Sequence, residues 1–206
     1  MDQKISPLHD PDEVAGVVLA AGSSTRMGRP KALLEYQGES FLASAISKLK
    51  QAGIRKVWVV TGANRAALHS IIKSHEAEEI VNENWEMGIS SSIITAIAKA
   101  KKHSIPALLL TFVDQPLIPT DHFFALWKSF EDSGSDAAAS MFGNTVGPPL
   151  LIKRRIYSHF NELKGNQGGK KILLNLGDRL HKIPCPTCEY DIDTIEQYQR
   201  LRSVNK

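Results

Sequence analysis

The sequence of 206 residues predicts an α/β fold in which a mostly parallel β-sheet has helices on both faces. Short apolar runs, of which residues 107–116 (ALLLTFVDQP) are the strongest, are typical of strands that are buried on both sides. Segments with apolar residues at helical spacing alternate with these runs. The composition, with 42% hydrophobic and 23% charged residues, is ordinary for a globular protein.

Each strand is predicted from an apolar run bounded by turn-forming residues, and the strands are residues 15–20, 56–62, 78–83, 107–116, 136–142, 147–152 and 181–185. Each helix is predicted from apolar residues at helical spacing, several of them between a capping residue and a glycine. The helices are residues 40–53, 64–75, 88–103, 120–134, 154–163, 168–176 and 194–203. We expect a polar arm at residues 1–13 and a single domain at residues 14–206.

The order of these elements also predicts where a ligand binds. Sheets of this kind bind ligands beyond the carboxyl ends of their strands. The loops that follow Leu19, Thr61, Val113 and Leu151 are therefore expected to border the site, since each contains a glycine, a proline or an acidic residue.

The first of these loops, LAAGSSTRMGRPK at residues 19–31, combines glycines, hydroxyl groups and cations. It is neither a Walker A motif nor G-x-G-x-x-G. Its glycines let backbone N–H groups approach an anion, and Arg26 and Lys31 can bind phosphate oxygens. Pro30 predicts an extended segment around Lys31. The alternative is a solvent loop with solubilising cations, but its position directly after a buried strand favours phosphate binding.

Two groups of carboxylates are candidates for holding a hard cation such as Mg²⁺. Asp114 ends the strongest predicted strand, and Asp191 and Asp193 alternate along YDIDT, so that both would lie on one face of an extended segment. The alternatives are a turn aspartate at position 114 and a cap of the last helix at Asp193 or Thr194. Phosphate-binding groups and carboxylates together suggest a metal–nucleotide complex.

The cysteines, Cys185 and Cys188 in CPTC, have the spacing of a redox or zinc pair. A zinc site needs about four ligands, and only His181 is close in sequence. Prolines flank Cys185, and no helix start follows the pair. We therefore expect two reduced thiols.

Charge and hydropathy exclude two classes of partner. The net charge of +3 arises from 25 basic and 22 acidic residues without a basic run, which suits a small anion better than nucleic acid. No apolar run approaches the roughly 20 residues that span a bilayer, and the N-terminal segment is too polar for a signal peptide. A cytoplasmic protein that binds neither membrane nor nucleic acid is expected.

The segment LAAGSSTRMGRPKALL resembles the signature of the MobA-like nucleotidyltransferases, and NENWEMGISSSI, VDQPLI, GPPLLI and DIDTIEQY follow in family order. GRPKALL, GISSSI and DIDT are most similar to the molybdenum cofactor cytidylyltransferases, whereas the guanylyl branch typically has Leu-Ala-Gly-Gly in the first loop. The resemblance implies a Rossmann-like, three-layer fold of the nucleotide-diphospho-sugar transferase type. It further implies Mg²⁺-dependent transfer of CMP from CTP to molybdopterin with release of pyrophosphate. The product would be the dinucleotide cofactor of a xanthine-dehydrogenase-type enzyme.

The resemblance also implies roles for individual residues. Arg26 and Lys31 would neutralise the triphosphate and the transition state, and Asp114 would hold Mg²⁺ with Asp191 or Asp193. The attacking phosphate is already an anion, so no general base is required. The implied nucleotide contacts, besides Arg26 and Lys31, are Leu19, Ala20, Ala21, Gly22, Ser23, Gly62, Ser90, Ser91 and Ser92.

The sequence departs from the family pattern in two places, and other functions stay open. GPP at residues 147–149 replaces the frequent G-H-P, and GNQGGK at residues 165–170 replaces G-D-x-G-A-R. Both departures concern the acceptor side. The alternatives are a guanylyltransferase using GTP, a cytidylyltransferase for a sugar or polyol phosphate, and a non-catalytic chaperone of the cofactor.

Overall fold

The structure is a computed structural model that describes residues 13–131 and 134–203, without the side chains of Arg26 and Phe130. Of the predicted arm, residues 1–12 lie outside the described residues. None of the helices in the described ranges combines the length and the hydropathy that a membrane crossing requires.

The centre of the fold is a seven-stranded sheet of order β5-β4-β1-β6-β8-β7-β9. Its strands are β1 (Val14–Leu19), β4 (Lys56–Thr61), β5 (Glu78–Val81), β6 (Ala107–Phe112), β7 (Ala137–Phe142), β8 (Thr145–Lys153) and β9 (Leu180–Pro184). A separate short hairpin consists of β2 (Glu35–Tyr36) and β3 (Glu39–Ser40). Neighbouring strands are parallel except for β8, which is antiparallel to both β6 and β7. The predicted mostly parallel α/β sheet is confirmed.

The direction of β8 corrects one prediction. Because β8 is antiparallel to β6, the loop after Leu151 lies at the edge of the sheet opposite to the carboxyl ends of β1, β4 and β6. The segment GPPLLI instead enters the sheet from the candidate-site edge. Apolar runs alone do not reveal strand direction, because buried strands of either direction are apolar on both faces.

The α-helices are α1 (Phe41–Gln51), α2 (Arg65–Ser74), α3 (Ile89–Lys102), α4 (Thr120–Lys128), α5 (Lys170–Leu174) and α6 (Ile195–Ser203). The predicted helix at residues 154–163 is a 3₁₀ helix, Arg154–Glu162. Its buried Tyr157 and Phe160 are three residues apart, the spacing that places side chains on one face of a 3₁₀ helix. The helix predicted at residues 168–176 is limited to the single turn of α5.

Two apolar clusters, one on each face of the sheet, hold the helices in place. Alternate residues of β1 belong to different clusters: Val18 packs with α1, α2 and α4, and Val17 packs with α3 and the Arg154–Glu162 helix. A β-carbon on Gly16 would lie 3.1 Å from Leu49 Cδ1, so α1 lies close against β1. The strand end that precedes the first loop is therefore fixed from both sides.

The prediction of two reduced thiols is wrong, because Cys185 and Cys188 form a disulfide. A 3₁₀ helix, Pro186–Glu189, places their Cα atoms 5.5 Å apart, within the range that a disulfide requires. His181, the histidine nearest in sequence, is exposed on β9.

Candidate active site

A cleft of about 460 Å³ opens beyond the carboxyl ends of β1 and β6. The candidate residues that line it are Leu19, Ala20, Ala21, Gly22, Ser23, Lys31, Ser92 and Asp114. Its volume is that of a small-molecule site. The structure thus brings the first loop, the end of β6 and the start of α3 to one place.

The first loop turns sharply inside this cleft. Ser24 has φ 55° and ψ 34°, a left-handed conformation that is uncommon for a residue with a side chain. Its Oγ accepts a hydrogen bond of 3.1 Å from the backbone N–H of Lys31, which closes the loop on itself. No hydrogen bond within the described residues uses the backbone N–H of Gly22 or Ser23. These two groups are available to an anion in the cleft.

Two further details of the loop concern the predicted cations. Arg26 lies in a 3₁₀ helix, Thr25–Met27, and its side chain lies outside the described part of the structure. The segment at Lys31 is not extended as predicted, because a 3₁₀ helix begins at Lys31 and ends at Leu33. Pro30 is extended at ψ 120°, so the effect of the proline is limited to the residues before Lys31.

Gly62, which follows β4, packs against the backbone of the first loop. A β-carbon at Gly62 would be 2.7 Å from Ala21 O and 2.6 Å from Trp85 Cβ. The next residue, Ala63, donates its N–H to Ala21 O at 3.1 Å, and the Asn64 side chain donates to Gly22 O at 3.1 Å. The segment after β4 therefore positions the first loop, and Gly62 allows that close approach.

Lys31 joins two of the three candidate carboxylates. Its Nζ donates a hydrogen bond of 3.0 Å to Asp114 Oδ2 and another to Asp193 Oδ1. Burial by itself would lower the pKa of Lys31, but the charges of Asp114 and Asp193 and their hydrogen bonds outweigh it and raise that pKa. The ammonium of Lys31, which lines the cleft, is thus held in its charged form.

The cap of the last helix is formed by Thr194 and not by the side chain of Asp193, which pairs with Lys31. The Thr194 Oγ1 accepts from the Gln197 N–H at 3.4 Å, and Gln197 Oε1 accepts from the N–H groups of Thr194 and Asp193 at 2.9 and 2.7 Å. This reciprocal pattern is a capping box. Of the two alternatives for the cap, the structure favours Thr194.

Asp191 faces the same group of charges. Partial desolvation, followed by the negative charges of Asp114 and Asp193, raises the pKa of Asp191 to about 6, although a contact with Gln115 opposes this shift. The N–H of Ile192 donates to Asp114 O at 2.9 Å, which ties the YDIDT segment to the end of β6. Asp114 and Asp193 thus contact the ammonium of Lys31, and Asp191 is a third carboxylate whose charge interacts with theirs.

The donor set fits a hard divalent cation. Asp114 Oδ1 is buried and has no hydrogen-bond partner in the described part of the chain. A buried carboxylate oxygen without a partner is costly, and an oxygen-binding cation would satisfy it. The excess of carboxylates over ammonium groups at Asp114, Asp191 and Asp193 points to the same class of ligand.

The three candidate serines differ in position. Ser92 borders the cleft, and its Oγ accepts from Asn82 Nδ2 at 3.1 Å. Ser91 Oγ accepts from Asn82 at 2.8 Å and donates to Gly88 O at 2.7 Å, while Ser90 is buried and donates its N–H to Gly165 O. Ser90 and Ser91 thus hold the start of α3, and Ser92 faces the ligand space.

Several cleft residues were missed as candidates, among them Asn64, Trp85 and Asn166. A β-carbon at Gly88 would lie 2.5 Å from Gly165 O, so the segments before α3 and before α5 touch through their backbones. This contact brings Asn166 to the cleft. NENWEMG and GNQGGK were the available signals, but neither segment shows by itself which of its side chains faces a ligand.

The sequence of residues 16–180 matches the family described as the MobA-like NTP transferase domain. The chain is 30% identical to nicotine blue oxidoreductase of Paenarthrobacter nicotinovorans, with 91% of this chain and 96% of that protein covered. It is 28% identical to the purine catabolism protein PucB of Bacillus subtilis, covering 91% and 95%. It is 28% identical to a probable molybdenum cofactor guanylyltransferase of Rhodopirellula baltica, covering 60% and 58%.

Solved structures agree with the fold. The Rv0371c protein of Mycobacterium tuberculosis superimposes with a TM-score of 0.78 at 25% identity, covering 91% of this chain and 96% of that one. Another structure of that protein, a complex with manganese, has a TM-score of 0.72 at 23% identity, covering 91% and 97%. A family match over most of the chain, together with these relatives, confirms the family that the sequence motifs suggested. The chain belongs to the MobA-like NTP transferase family, and it is a nucleotidyltransferase.

Proposed function

We propose that this nucleotidyltransferase transfers CMP from CTP to the terminal phosphate of molybdopterin, releases pyrophosphate and supplies the dinucleotide cofactor to a xanthine-dehydrogenase-type enzyme. The observation that carries the proposal is the joining of Lys31, Asp114 and Asp193 beside the anion-binding N–H groups of the first loop. This arrangement combines triphosphate recognition with a carboxylate site for a divalent cation.

In this proposal the first loop binds the triphosphate. The N–H groups of Gly22 and Ser23 point to no acceptor in the described chain and would donate to phosphate oxygens. Lys31 adds a full positive charge, which its two carboxylate partners hold in position before the substrate arrives. Such preorganised charge stabilises the transition state because the site needs little rearrangement during the reaction. Arg26 is proposed as the second cation.

The base and ribose would lie beside Ser92 and Trp85, which line the cleft together with the first loop. Ser90, Ser91 and Gly62 would support this part of the cleft without touching the nucleotide. Asp114, with Asp193 or Asp191, would hold Mg²⁺, which when bound neutralises triphosphate charge and favours the departure of pyrophosphate. The attacking phosphate of the acceptor is an anion, so the chain needs only to align it with the α-phosphate.

The proposed acceptor rests on motif resemblance and on the names of relatives. The Rhodopirellula relative is named for the molybdenum cofactor, and PucB for purine catabolism. Asn166 borders the cleft where the family often has an aspartate. An amide in place of a carboxylate removes one negative charge from the acceptor side, which would ease the approach of a phosphorylated acceptor.

The nucleotide is tested by thermal shift with Mg²⁺ and each of CTP, GTP, ATP, UTP and a nicotinamide dinucleotide. We expect CTP to raise the melting temperature most. A larger shift with GTP would assign the chain to guanylyl transfer. A shift with the dinucleotide alone would favour the chemistry for which the Paenarthrobacter relative is named.

The acceptor is tested by pyrophosphate release from CTP with molybdopterin, with a panel of sugar and polyol phosphates as the comparison. Release with molybdopterin only is the expected result. Release with a sugar or polyol phosphate instead would transfer the proposal to that acceptor. Binding of molybdopterin without turnover of any triphosphate would favour a cofactor chaperone and contradict the enzymatic proposal.

A further inference from the structure

Three potential metal ligands meet at a buried point that is separate from the cleft. His122 on α4 and the cysteines Cys185 and Cys188 each offer one ligand atom, and these atoms all lie within 4.8 Å of one another. The three residues are 6%, 3% and 1% exposed. None of them lines the cleft.

The hydrogen bonds around His122 determine its tautomer. Ser140 Oγ donates its single hydrogen to Pro149 O at 2.7 Å. The 2.7 Å contact between His122 Nε2 and Ser140 Oγ must therefore be a bond in which Nε2–H donates. Nδ1 is then the nitrogen with the lone pair. A ring whose second nitrogen is fixed by a donated hydrogen bond is the usual arrangement of a metal-binding histidine.

We propose that Cys185 and Cys188, once reduced, form with His122 a site for one thiophilic closed-shell metal ion, Zn(II) or Cu(I). Two thiolates separated by two residues and one imidazole are the ligands and the spacing that such ions select. These three ligands suffice for Cu(I), whereas a tetrahedral Zn(II) would take a water molecule as its fourth ligand. None of the three residues lines the cleft, so the role of the site is structural.

A thiol reductant converts the disulfide into the two thiols that bind the metal. The reductant supplies two electrons and two protons, the bond between the two sulfur atoms breaks, and the reductant leaves as its own disulfide. Metal binding then displaces the protons of the two thiols, and the imidazole binds through its lone pair without losing a proton. The disulfide and the metal complex are thus alternative states of one cross-link.

The position of this cross-link gives it a consequence for the fold. Cys185 N–H donates to Met141 O at 2.8 Å on β7, and Cys188 O accepts from Gln115 Nε2 at 3.2 Å, next to Asp114. Either cross-link would hold the segment leading to Asp191 against β7, and the metal would add α4 through His122. The metal-bound state should therefore be more stable than the reduced, metal-free state.

The test is an anaerobic titration of the full chain after reduction and removal of the reductant. Zn(II) and Cu(I) are each titrated against a chromophoric chelator, and the arm with the tighter, stoichiometric binding identifies the metal. We expect one equivalent to bind the reduced chain and none to bind the disulfide form. X-ray absorption of the unmutated complex should show two sulfur ligands and one imidazole nitrogen, a readout that does not depend on a variant.

Variants test each ligand. His122→Gln, which keeps a donor for Ser140, and the double variant Cys185→Ser with Cys188→Ser should each lower metal affinity at least about tenfold, since even supporting residues of metal sites contribute this much. His181→Gln, at an exposed histidine close in sequence, is the control and should bind normally. Failure of the reduced chain to bind one equivalent, equal binding by the disulfide form, or a spectrum without sulfur ligands would each overturn the proposal.

Discussion

Replacing Lys31 by methionine tests the central charge arrangement of the site. The change removes the ammonium and keeps much of the side-chain volume, so packing around the 3₁₀ helix that begins at residue 31 is largely preserved. Asp114, Asp191 and Asp193 would then face one another without a cation. We expect turnover to fall and the affinity for a divalent cation to rise.

The structure sets the size of the effect. Two unit charges separated by 3.0 Å, the distance from Lys31 Nζ to Asp114 Oδ2, interact by about 5–6 kcal/mol at an effective dielectric constant of about 20. The side chains are only 13% and 22% exposed, so solvent screens the interaction in part. A phosphate oxygen at a similar distance would lose at least half of this value, about 2.7 kcal/mol, or about a hundredfold in turnover.

The assay has two arms. Pyrophosphate release with CTP and Mg²⁺ measures turnover, and the melting temperature without nucleotide, at increasing Mg²⁺, measures cation binding. Lys50→Met, at a surface ion pair with Glu76, is the control and should behave as the unmutated chain. Turnover of the Lys31 variant within tenfold of the unmutated protein, with an unchanged Mg²⁺ response, would refute the role of this cation.

Three further changes test other parts of the site. Asp114→Asn should lower turnover at least about a hundredfold and abolish the Mg²⁺-dependent rise in melting temperature. Asp121→Asn on α4 is the control and should change neither. Near-normal activity of the Asp114 variant would remove Asp114 from the mechanism. Asp191→Asn should raise the melting temperature above pH 6 but not below pH 4. The folded chain raises the pKa of the Asp191 carboxyl from 3.8 to about 6, so the unmutated protein loses stability as the pH rises through that window. A difference in melting temperature between variant and unmutated protein that stays constant across pH would contradict the assignment. Gly62→Ala should lower both the melting temperature and the affinity for CTP, because the new β-carbon would lie 2.7 Å from a backbone oxygen of the first loop. Gly168→Ala, where the new β-carbon would have no atom within 4 Å, is the control. Equal effects of the two variants in calorimetry and CTP titration would argue against a positioning role of Gly62.

Local sequence patterns predict the layers of this fold well. The core strands and the larger helices follow from apolar runs and helical spacing, and most of their ends agree with the structure to within about two residues, in part because caps such as Ser40 are read directly from the sequence. The pattern at residues 154–163 predicts a helix but not its type, and the structure has a 3₁₀ helix there. A run of nine residues with apolar side chains three apart fits either type, and the hydrogen bonds that decide between them are absent from the pattern.

The candidate site likewise has features that follow from local sequence and features that depend on distant residues. The phosphate-binding character of its first loop can be predicted from neighbouring residues, since glycine, serine and cations directly follow a buried strand. The partners of Lys31 cannot be predicted in this way, because Asp114 and Asp193 lie 83 and 162 residues away from it along the chain. The backbone contact that brings Asn166 to the cleft is equally remote from any local pattern.

By itself the sequence determined the alternation of strands and helices, the family, and the loop that meets the carboxyl end of the first strand, because these depend on residues that are neighbours in the chain. Only the tertiary structure decided the direction of β8, the approach of His122 to Cys185 and Cys188, and which carboxylates share the charge of Lys31. These features depend on contacts between distant segments, and such contacts exist only after the sheet has paired and both of its faces are buried.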